Sequence, residues 1–415
     1  MNIFKVSILS LISTSISVAS NFIITKIVAV YIGPSGLAII GQLQNFISIA
    51  LLTCGGFLRT ALIKFTAESK NESLEQQKLW SAVLKVSLFL WIIISCGILV
   101  FHHKLSIYIL GSDIYSDAFL IFIPCLFLFI LNTFFVSALN GLKEIKDFIK
   151  INIAMSIISL VWISVLSLHY GLYGCIIAYV SSQSISFVYI FFRARRFSWF
   201  RPQLLKVKNV RQDYLTVLQF SLITLTSVLA SNISLMMVRD YITNNYSRVD
   251  AGYWQGVWSL SQVSLTIVTL SLSTYLLPAL SSLQKVPDLH REVSKTLKVV
   301  VPLSIIISIG IYLFRDQIII LLFSNEFILM RDLFLWQMLG NIIKSVGWVY
   351  GSVLVARGKI KYTTSTEVFF AFLWVVVSIK LITMFGVIGT TYSYFIVACC
   401  HAVTMIFICY RRMYR

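Results

Sequence analysis

Positively charged residues inside long apolar stretches are the side chains of this sequence most suited to chemistry. They are Lys26, Arg59, Lys64, Lys85, Arg239, Lys298, Lys344 and Lys380. A charge at the depth of a membrane-spanning helix costs at least about 2.5 kcal/mol unless it faces a water-filled cavity or extends to the interface. Each of these cations therefore needs a physical reason to be there. A cation that faces a cavity is suited to binding an anion, because it donates charge-assisted hydrogen bonds.

Helical phase assigns two of these cations to polar stripes. In the apolar run over 37–66, one helix face carries Gly41, Asn45, Ser48, Gly55 and Arg59. In the run over 332–356, a comparable face carries Gln337, Asn341, Lys344, Trp348 and Gly351. Residues at these spacings share one side of an α-helix. We expect Arg59 and Lys344 to line one central cavity and to bind substrate there, together with Asn45 and Asn341.

The other cations divide between the cavity and the membrane surface. Arg239 lies at the edge of the polar face of its run, which makes it a further candidate substrate contact. Lys64 is either a residue of the cavity entrance or one that extends to the interface. Lys26 and Lys380 lie away from the polar stripes and are predicted to reach the outer interface. Lys85 and Lys298 are expected to extend to the interface at the cytoplasmic helix ends.

Acidic residues within the apolar runs are few. Glu367 lies on a partly polar helix face, and Asp240 directly follows Arg239. Each can pair with a nearby Lys or Arg, or can exchange a proton or cation that is coupled to transport.

The sequence shows no apparatus for catalysis. Histidines are expected at loops and helix ends, and a Ser/His/Asp set, a carboxylate pair or a phosphate-binding loop is missing from the sequence. All seven cysteines fall in apolar runs without the spacing of a zinc site. We therefore predict no enzyme activity, no catalytic residue, no cofactor and no metal.

Composition places the chain in a membrane. It has 415 residues, of which 58% are hydrophobic and only 12% charged, whereas a soluble domain needs about 25% charged residues. The net charge of +18 is divided among short loops instead of forming one basic face, which argues against binding to nucleic acid. We expect an all-α polytopic membrane protein.

Long apolar runs predict twelve membrane-spanning helices. Their expected bounds are 3–31, 37–66, 79–101, 117–142, 147–168, 171–194, 213–242, 252–284, 291–314, 332–356, 362–385 and 387–410. The first run is taken as a retained span, because it continues to Tyr31 beyond the length of a signal peptide. The predicted domains are an N-terminal six-helix lobe over 1–194, a basic cytoplasmic linker over 195–212, and a C-terminal six-helix lobe over 213–415.

Loop charges give the orientation. Most Lys and Arg residues outside the spans lie on one side, which places both termini and the central stretch in the cytoplasm. The cations expected on the opposite side are Lys104, Arg248, Arg315 and Arg331. The longest outer loops, 102–116 and 315–331, are apolar and are predicted to be interfacial helices.

Parts of the first half recur in the second at an offset of about 215 residues. The segment 170–174 matches 385–389, the segment 143–146 matches 358–361, and two arginines at 195–196 match those at 411–412. Repeats with an even number of spans have the same orientation, so a pseudo-two-fold axis along the membrane normal is expected, with the transport path between the halves. Repeated halves of this kind indicate a transporter.

The central stretch from Arg193 to Arg211 is strongly basic and contains Trp199 and Phe200. This pattern is typical of a helix lying on an anionic leaflet, and equally of a solvated linker. Prolines inside predicted spans are expected to kink them. These prolines are Pro124, Pro278 and Pro302.

Several segments, in this order, resemble a known family. They are 31–36 (Tyr-Ile-Gly-Pro-Ser-Gly), 253–256 (Tyr-Trp-Gln-Gly), 275–278 (Tyr-Leu-Leu-Pro) and 330–337 (Met-Arg-Asp-Leu-Phe-Leu-Trp-Gln). Together with the two sets of six spans, they resemble the Wzx flippases of bacterial polysaccharide export, and within these the branch that handles enterobacterial common antigen (lipid III). The likeness covers nearly the whole chain.

The resemblance implies a fold like that of the MATE exporters of the MOP superfamily, with two six-helix lobes around a V-shaped cavity. It also implies a cargo, an undecaprenyl-pyrophosphate-linked oligosaccharide such as lipid III or an O-antigen unit, moved from the inner to the outer leaflet of the bacterial inner membrane by alternating access. Implied partners are membrane lipids, a polysaccharide polymerase and a chain-length regulator. Two other functions stay open: a multidrug or cation antiporter, which should show acidic cavity residues, and a membrane-bound polysaccharide polymerase, which should show a large polar outer loop.

Overall fold

The computed structural model describes residues 3–69, 73–195, 197, 199, 204, 206–283 and 285–413. All secondary structure assigned in these ranges is helical, as predicted. The α-helices are α1 Ile3–Thr53, α2 Arg59–Glu68, α3 Ser73–Leu110, α4 Ser116–Gly141, α5 Ile145–Ala194, α6 Arg211–Asn245, α7 Arg248–Ser271, α8 Leu277–Ser282, α9 Val286–Leu313, α10 Arg315–Leu322, α11 Phe334–Ala356, α12 Ile360–Phe385 and α13 Gly389–Met413.

Seven helical stretches of the described residues are long and apolar enough to cross a membrane. They are Leu11–Thr53, Leu74–Leu110, Asp113–Gly141, Ile145–Ala194, Val286–Leu313, Asn325–Ala356 and Ile360–Arg411. Three of them contain two predicted spans each, joined near a glycine. The two remaining predicted spans coincide with α6 and with α7 followed by α8. The chain is thus a polytopic all-α membrane protein.

Glycines interrupt the longest helices. Gly33 (φ 78°) divides α1, Gly171 (φ 56°) divides α5, and Gly386 (φ 71°) separates α12 from α13. A positive φ is costly for residues with a Cβ atom but not for glycine. Each break ends one predicted span and begins the next without a long loop.

The backbone repeats these features at the offset found in the sequence. Gly171 corresponds to Gly386, and Lys143 (φ 62°) corresponds to Gly358 (φ 69°), so both pairs share a left-handed conformation. The helices that precede Lys143 and Gly358 also end with the same hydrogen bond. The backbone N–H of Glu144 donates to the Leu139 carbonyl, as that of Lys359 does to the Leu354 carbonyl. The internal repeat therefore extends to local conformation.

Contacts divide the chain into two compact units. The first unit comprises Met1–Ile32 and Ile39–Val228, and the second comprises Gly33–Ala38 and Leu229–Arg415. The helix α6 thus contributes its first half to one unit and its second half to the other. The lobe and linker bounds 1–194, 195–212 and 213–415 stay a prediction.

The second predicted span is not one continuous helix. The helix α1 ends at Thr53, a 3₁₀ turn covers Gly56–Leu58, and α2 begins at Arg59. Gly55 has φ 136°, and a Cβ atom built there would lie 2.3 Å from Ser87 Oγ, so only glycine fits. The straight polar stripe predicted from Gly41 to Arg59 is therefore wrong beyond Thr53, because a helical phase does not continue through a break.

Prolines and outer loops differ in part from expectation. Pro124 and Pro302 lie inside continuous helices, and Pro278 follows a π-helical turn at Leu272–Leu276. Of the predicted interfacial helices, 102–116 is largely the end of α3, whereas 315–331 contains α10 and part of a 3₁₀ segment.

The central basic stretch packs against the first unit where it is described. Trp199 lies 5.0 Å from Trp80 and 5.4 Å from Phe135 between ring centroids, and Leu204 is buried in the same cluster. Trp199 and Leu204 are thus packed on the unit instead of being fully solvated. The predicted loop cations that lie outside the described residues are Lys70, Arg196, Arg201 and Arg415, and Phe200 of the central stretch also lies outside them.

Candidate functional site

Arg59 lies at the helix break of the first unit. It is the first residue of α2, and its backbone N–H donates to the Gly56 carbonyl. Its side chain is exposed and borders a small pocket between α2, α3 and α4. The polar groups of this pocket come from Ser87, Thr133 and Ser137. A guanidinium at the start of a helix, where the helix dipole is positive, is suited to binding an anion.

Packing below Arg59 fixes this position. Leu58 and Leu62 are fully or almost fully buried in a cluster with Trp80, Phe134 and Leu204. The cluster holds α2 against α3 and α4, so the helix start cannot move without exposing apolar surface. The first unit thus presents an exposed side chain on a well-packed support.

Lys64 and Asn45 do not accompany Arg59. Lys64 lies five residues further along α2, which is about 140° around the helix. Its ammonium lies 4.0 Å from the Glu68 carboxylate and over the Phe65 ring. Asn45 is 9% exposed inside the first unit, and its Nδ2 has no hydrogen-bond partner. Neither residue shares the pocket that Arg59 borders.

Asn341 serves a structural network in the second unit. Its Oδ1 accepts hydrogen bonds from Ser261 Oγ (2.8 Å) and Tyr394 OH (2.9 Å), and its Nδ2 donates to Ser264 Oγ at 2.8 Å. Gln337 Nε2 donates to Ser261 Oγ at 3.0 Å. These buried bonds tie α11 to α7 and α13, which leaves Asn341 little capacity for a substrate.

Lys344 lies one turn further along α11 and is half-buried between aromatic rings. Its Nζ is 5.1 Å from the Tyr394 ring centroid and 5.5 Å from that of Trp348. Glu367 of α12 is close enough to interact with it electrostatically. The faces of aromatic rings stabilise a cation in a desolvated setting.

Arg239 is buried, with 2% of its surface exposed. Its Nη2 donates to Gln255 Oε1 at 2.5 Å, and its guanidinium lies over the Trp254 ring at 5.5 Å. Asp240 is half-buried at the next position, about 100° around α6. Arg239 is thus enclosed by the second unit instead of lying at an open edge.

A row of aromatic rings connects the two cations of the second unit. Trp254 lies 5.8 Å from Trp258, and Trp258 lies 5.6 Å from Tyr394, over which Lys344 is placed. Trp374 of α12 stacks on Trp258 at 5.5 Å. The spacing of Trp254 and Trp258 on one face of α7 could have indicated this row, although the sequence does not specify what the face contacts.

Sequence reasoning missed His401, whose position corrects the expectation that the histidines lie at loops and helix ends. It lies in the middle of α13, is 8% exposed, and contacts the Phe370 ring at 5.2 Å. A Cβ atom at Gly347 would lie 2.9 Å from His401 Nδ1, so this glycine leaves room for the ring. His401 also interacts electrostatically with Lys344.

Two predictions about interface cations have different outcomes. Lys85 does not extend to the membrane surface, because its Nζ donates to Val207 O (2.6 Å) and Asn209 Oδ1 (2.9 Å) of the central stretch. Lys380 is exposed at the surface of the second unit, as its helical phase indicates. Among the described residues, no group of three or more His, Cys, Asp or Glu side chains is placed to hold a metal ion.

Sequence comparisons identify relatives over most of the chain. A family model described as lipid II flippase MurJ matches residues 39–414. Two curated proteins named lipid III flippase, from Escherichia coli (strain K12) and Shigella flexneri, are each 37% identical over 176 residues. This match covers 42% of the chain and 42% of each relative, so the chain spans less than half the length of the curated relatives it matches.

Solved structures share the fold. An inward-facing multidrug resistance MATE transporter of the MOP superfamily superimposes with a TM-score of 0.81 at 15% identity, covering 96% of this chain and 94% of that one. An inward closed conformation of the lipid II flippase MurJ gives 0.76 at 16% identity, covering 98% and 87%. The MATE-like fold expected from the sequence is confirmed.

Proposed function

The chain belongs to the family of the lipid II flippase MurJ, and from this premise we propose that it flips an oligosaccharide linked to undecaprenyl pyrophosphate. The observation that carries the proposal is the family match over residues 39–414. The partial match to lipid III flippases and the resemblance to the Wzx type favour lipid III or an O-antigen unit as cargo. Flippases are transporters, so the protein has no catalytic residues to assign.

Arg59 is the proposed contact for the cargo's pyrophosphate. A diphosphate offers several anionic oxygens, and a guanidinium donates two parallel bonds to such a group. The start of α2 adds the positive end of a helix dipole. The exposure of Arg59 supports this role, since the group can meet a ligand without prior rearrangement of its own unit.

Lys344 and Arg239 are proposed secondary contacts, whereas the substrate contacts predicted from the sequence for Lys64, Asn45 and Asn341 stay predictions that the contacts of these residues do not favour. Lys344 is only half-buried and is the more accessible cation of the second unit. That Arg59 and Lys344 line one cavity stays a prediction. Cations at the candidate site, such as Arg59 and Lys344, favour an anionic cargo over the cationic drugs of a multidrug exporter. This chain is similar to such an exporter in fold alone.

We place the protein in the bacterial inner membrane, with both termini and the central stretch in the cytoplasm. The support is the distribution of loop cations. Cargo then moves from the cytoplasmic to the periplasmic leaflet by alternating access. Polymerase and chain-length regulator are proposed downstream partners.

The membrane potential can drive this step. An inside-negative potential favours outward movement of an anion by about 2.3 kcal/mol per charge per 100 mV. If a proton or sodium ion is also exchanged, Glu367 is the proposed carrier, since it interacts with Lys344, and Asp240 is the alternative. Transport in vesicles at a clamped potential should then depend on the proton or sodium gradient, and Glu367→Gln should remove that dependence. Equal dependence in both proteins would exclude Glu367 as the coupling residue.

The decisive experiment identifies the lipid-linked glycan that accumulates in a strain from which the gene has been deleted. We expect an undecaprenyl-pyrophosphate oligosaccharide on the cytoplasmic face, cleared by the wild-type gene and not by Arg59→Ala. The matched control is Lys104→Ala, which removes an exposed cation from the far end of α3. Accumulation of no such lipid would contradict the proposed function.

A further inference from the structure

Hydrogen bonds of Val207 and Asn209 attach the central basic stretch to α3. Val207 O accepts a hydrogen bond from Lys85 Nζ at 2.6 Å. Asn209 Oδ1 accepts from Lys85 Nζ and from Ser81 Oγ, both at 2.9 Å, while Asn209 Nδ2 donates to the Lys78 carbonyl at 2.7 Å. Together with a bond from Ser81 Oγ to Val207 O at 3.4 Å, five hydrogen bonds to one helix therefore hold this short segment.

The lysines beside these docked residues are exposed. Val207 and Asn209 are half-buried, whereas Lys206 and Lys208 are exposed. Both ammonium groups are therefore accessible to a ligand next to a segment that is hydrogen-bonded to α3.

Apolar contacts hold Trp199 and Leu204 of the same stretch against the first unit. Trp199 and Leu204 both pack on the cluster around Trp80. Just before them, the Arg195 guanidinium lies over the rings of Phe191 at 4.8 Å and Phe192 at 5.5 Å. Phe191 and Phe192 are 45% and 62% exposed at the end of α5. Fixed cations and exposed aromatic rings thus share one end of the unit.

We propose that Lys206 and Lys208, with Arg195, form a binding site for the phosphate headgroup of an anionic phospholipid in the adjoining leaflet. Cations beside a membrane attract anionic headgroups, and aromatic rings next to them suit the boundary between headgroup and acyl chain. Lys85 and Asn209 are positioning residues, because they orient the segment without touching the lipid. This site is independent of the proposed transport function.

The test measures binding of phosphatidylglycerol and phosphatidylcholine to the purified full chain by native mass spectrometry. We expect Lys206→Gln/Lys208→Gln to weaken phosphatidylglycerol binding by about fivefold per lysine, which corresponds to roughly 1 kcal/mol each. Phosphatidylcholine binding should not change. The control is Lys104→Gln, which removes an exposed cation from the same helix about 30 Å along from Lys85. Equal loss in the control, or no loss in the double variant, would overturn the site.

Two further measurements separate a built site from net charge and from free phosphate. Asn209→Ala keeps every charge but removes the three docking bonds made by the Asn209 side chain, so we expect it to lose the phosphatidylglycerol preference as the double lysine variant does. Wild-type preference in Asn209→Ala would refute the role of docking. Competition by inorganic phosphate as effective as that by the lipid would refute the assignment to a phospholipid.

Discussion

The two units place their candidate substrate-binding cations differently. In the first unit, Arg59 is exposed at a helix break. In the second unit, Arg239 is buried and Lys344 is half-buried beside aromatic rings. The first unit keeps its candidate cation available, and the second shields its two candidates.

This difference shows what the internal repeat does and does not transmit. The repeat reproduces the backbone conformation of Gly171 at Gly386 and of Lys143 at Gly358. It does not reproduce the candidate cations Arg59, Arg239 and Lys344, because side chains can change while a helix break keeps its geometry. We therefore expect substitutions in the two units to affect transport and stability differently.

The largest effect is expected at Arg59. Arg59→Ala should reduce export by roughly tenfold to a hundredfold, because each lost charged hydrogen bond is worth about 1.5–3 kcal/mol. Arg59→Lys keeps the charge and should do less harm. Export is measured as clearance of the accumulated lipid-linked glycan, with protein abundance and thermal unfolding as folding controls. Wild-type export by a folded Arg59→Ala protein would remove the contrast between the units.

The helix break that supports Arg59 can be tested at Gly55. Gly55→Ala should destabilise the protein by at least about 1–2 kcal/mol, because φ 136° is unfavourable for alanine and its Cβ would meet Ser87. Gly97→Ala is the matched control, since Gly97 lies in α3 with open space around it and should tolerate the change. Thermal unfolding in detergent measures both. Equal midpoints for the two variants would contradict the strained geometry at Gly55.

The two asparagines sharpen the comparison further. Asn341→Ala should destabilise the protein by roughly 1–3 kcal/mol, because Ser264 and Tyr394 lose a buried hydrogen-bond partner. Asn45→Ala should cost less, since the Asn45 Nδ2 has no partner to lose. Denaturant or thermal unfolding of both variants provides the measurement. A larger loss from Asn45→Ala would reverse the assigned roles.

The smallest effect is expected at Lys380. Its side chain is exposed, and its helical phase directs it away from the partly polar face of α12 that carries Glu367, so Lys380→Gln should leave export within about twofold of wild type. Lys344→Gln is the positive control and should lower export several-fold more. Complete loss of export in Lys380→Gln would show that helical phase misassigned this residue.

The sequence by itself determined the membrane fold, the positions of the spans and the repeat. Apolar runs of spanning length and a limited set of turn-forming residues decide these features locally, which is why the predicted spans fall on helical stretches, although the second is interrupted between Thr53 and Arg59. The matching segments around Gly171 and Gly386 were visible without a structure, because a left-handed backbone position favours glycine wherever it occurs.

Tertiary structure alone decided the roles of individual polar residues. Helical phase predicts a face only as far as the helix is continuous, so the break at Gly55 changed the setting of Arg59. Phase also gives no information on what a face contacts: Lys85 meets Val207 from 122 residues away, and Asn341 meets Tyr394 from 53 residues away. Such contacts depend on how distant helices pack, and a single helix does not encode the partner that its polar side chains will find.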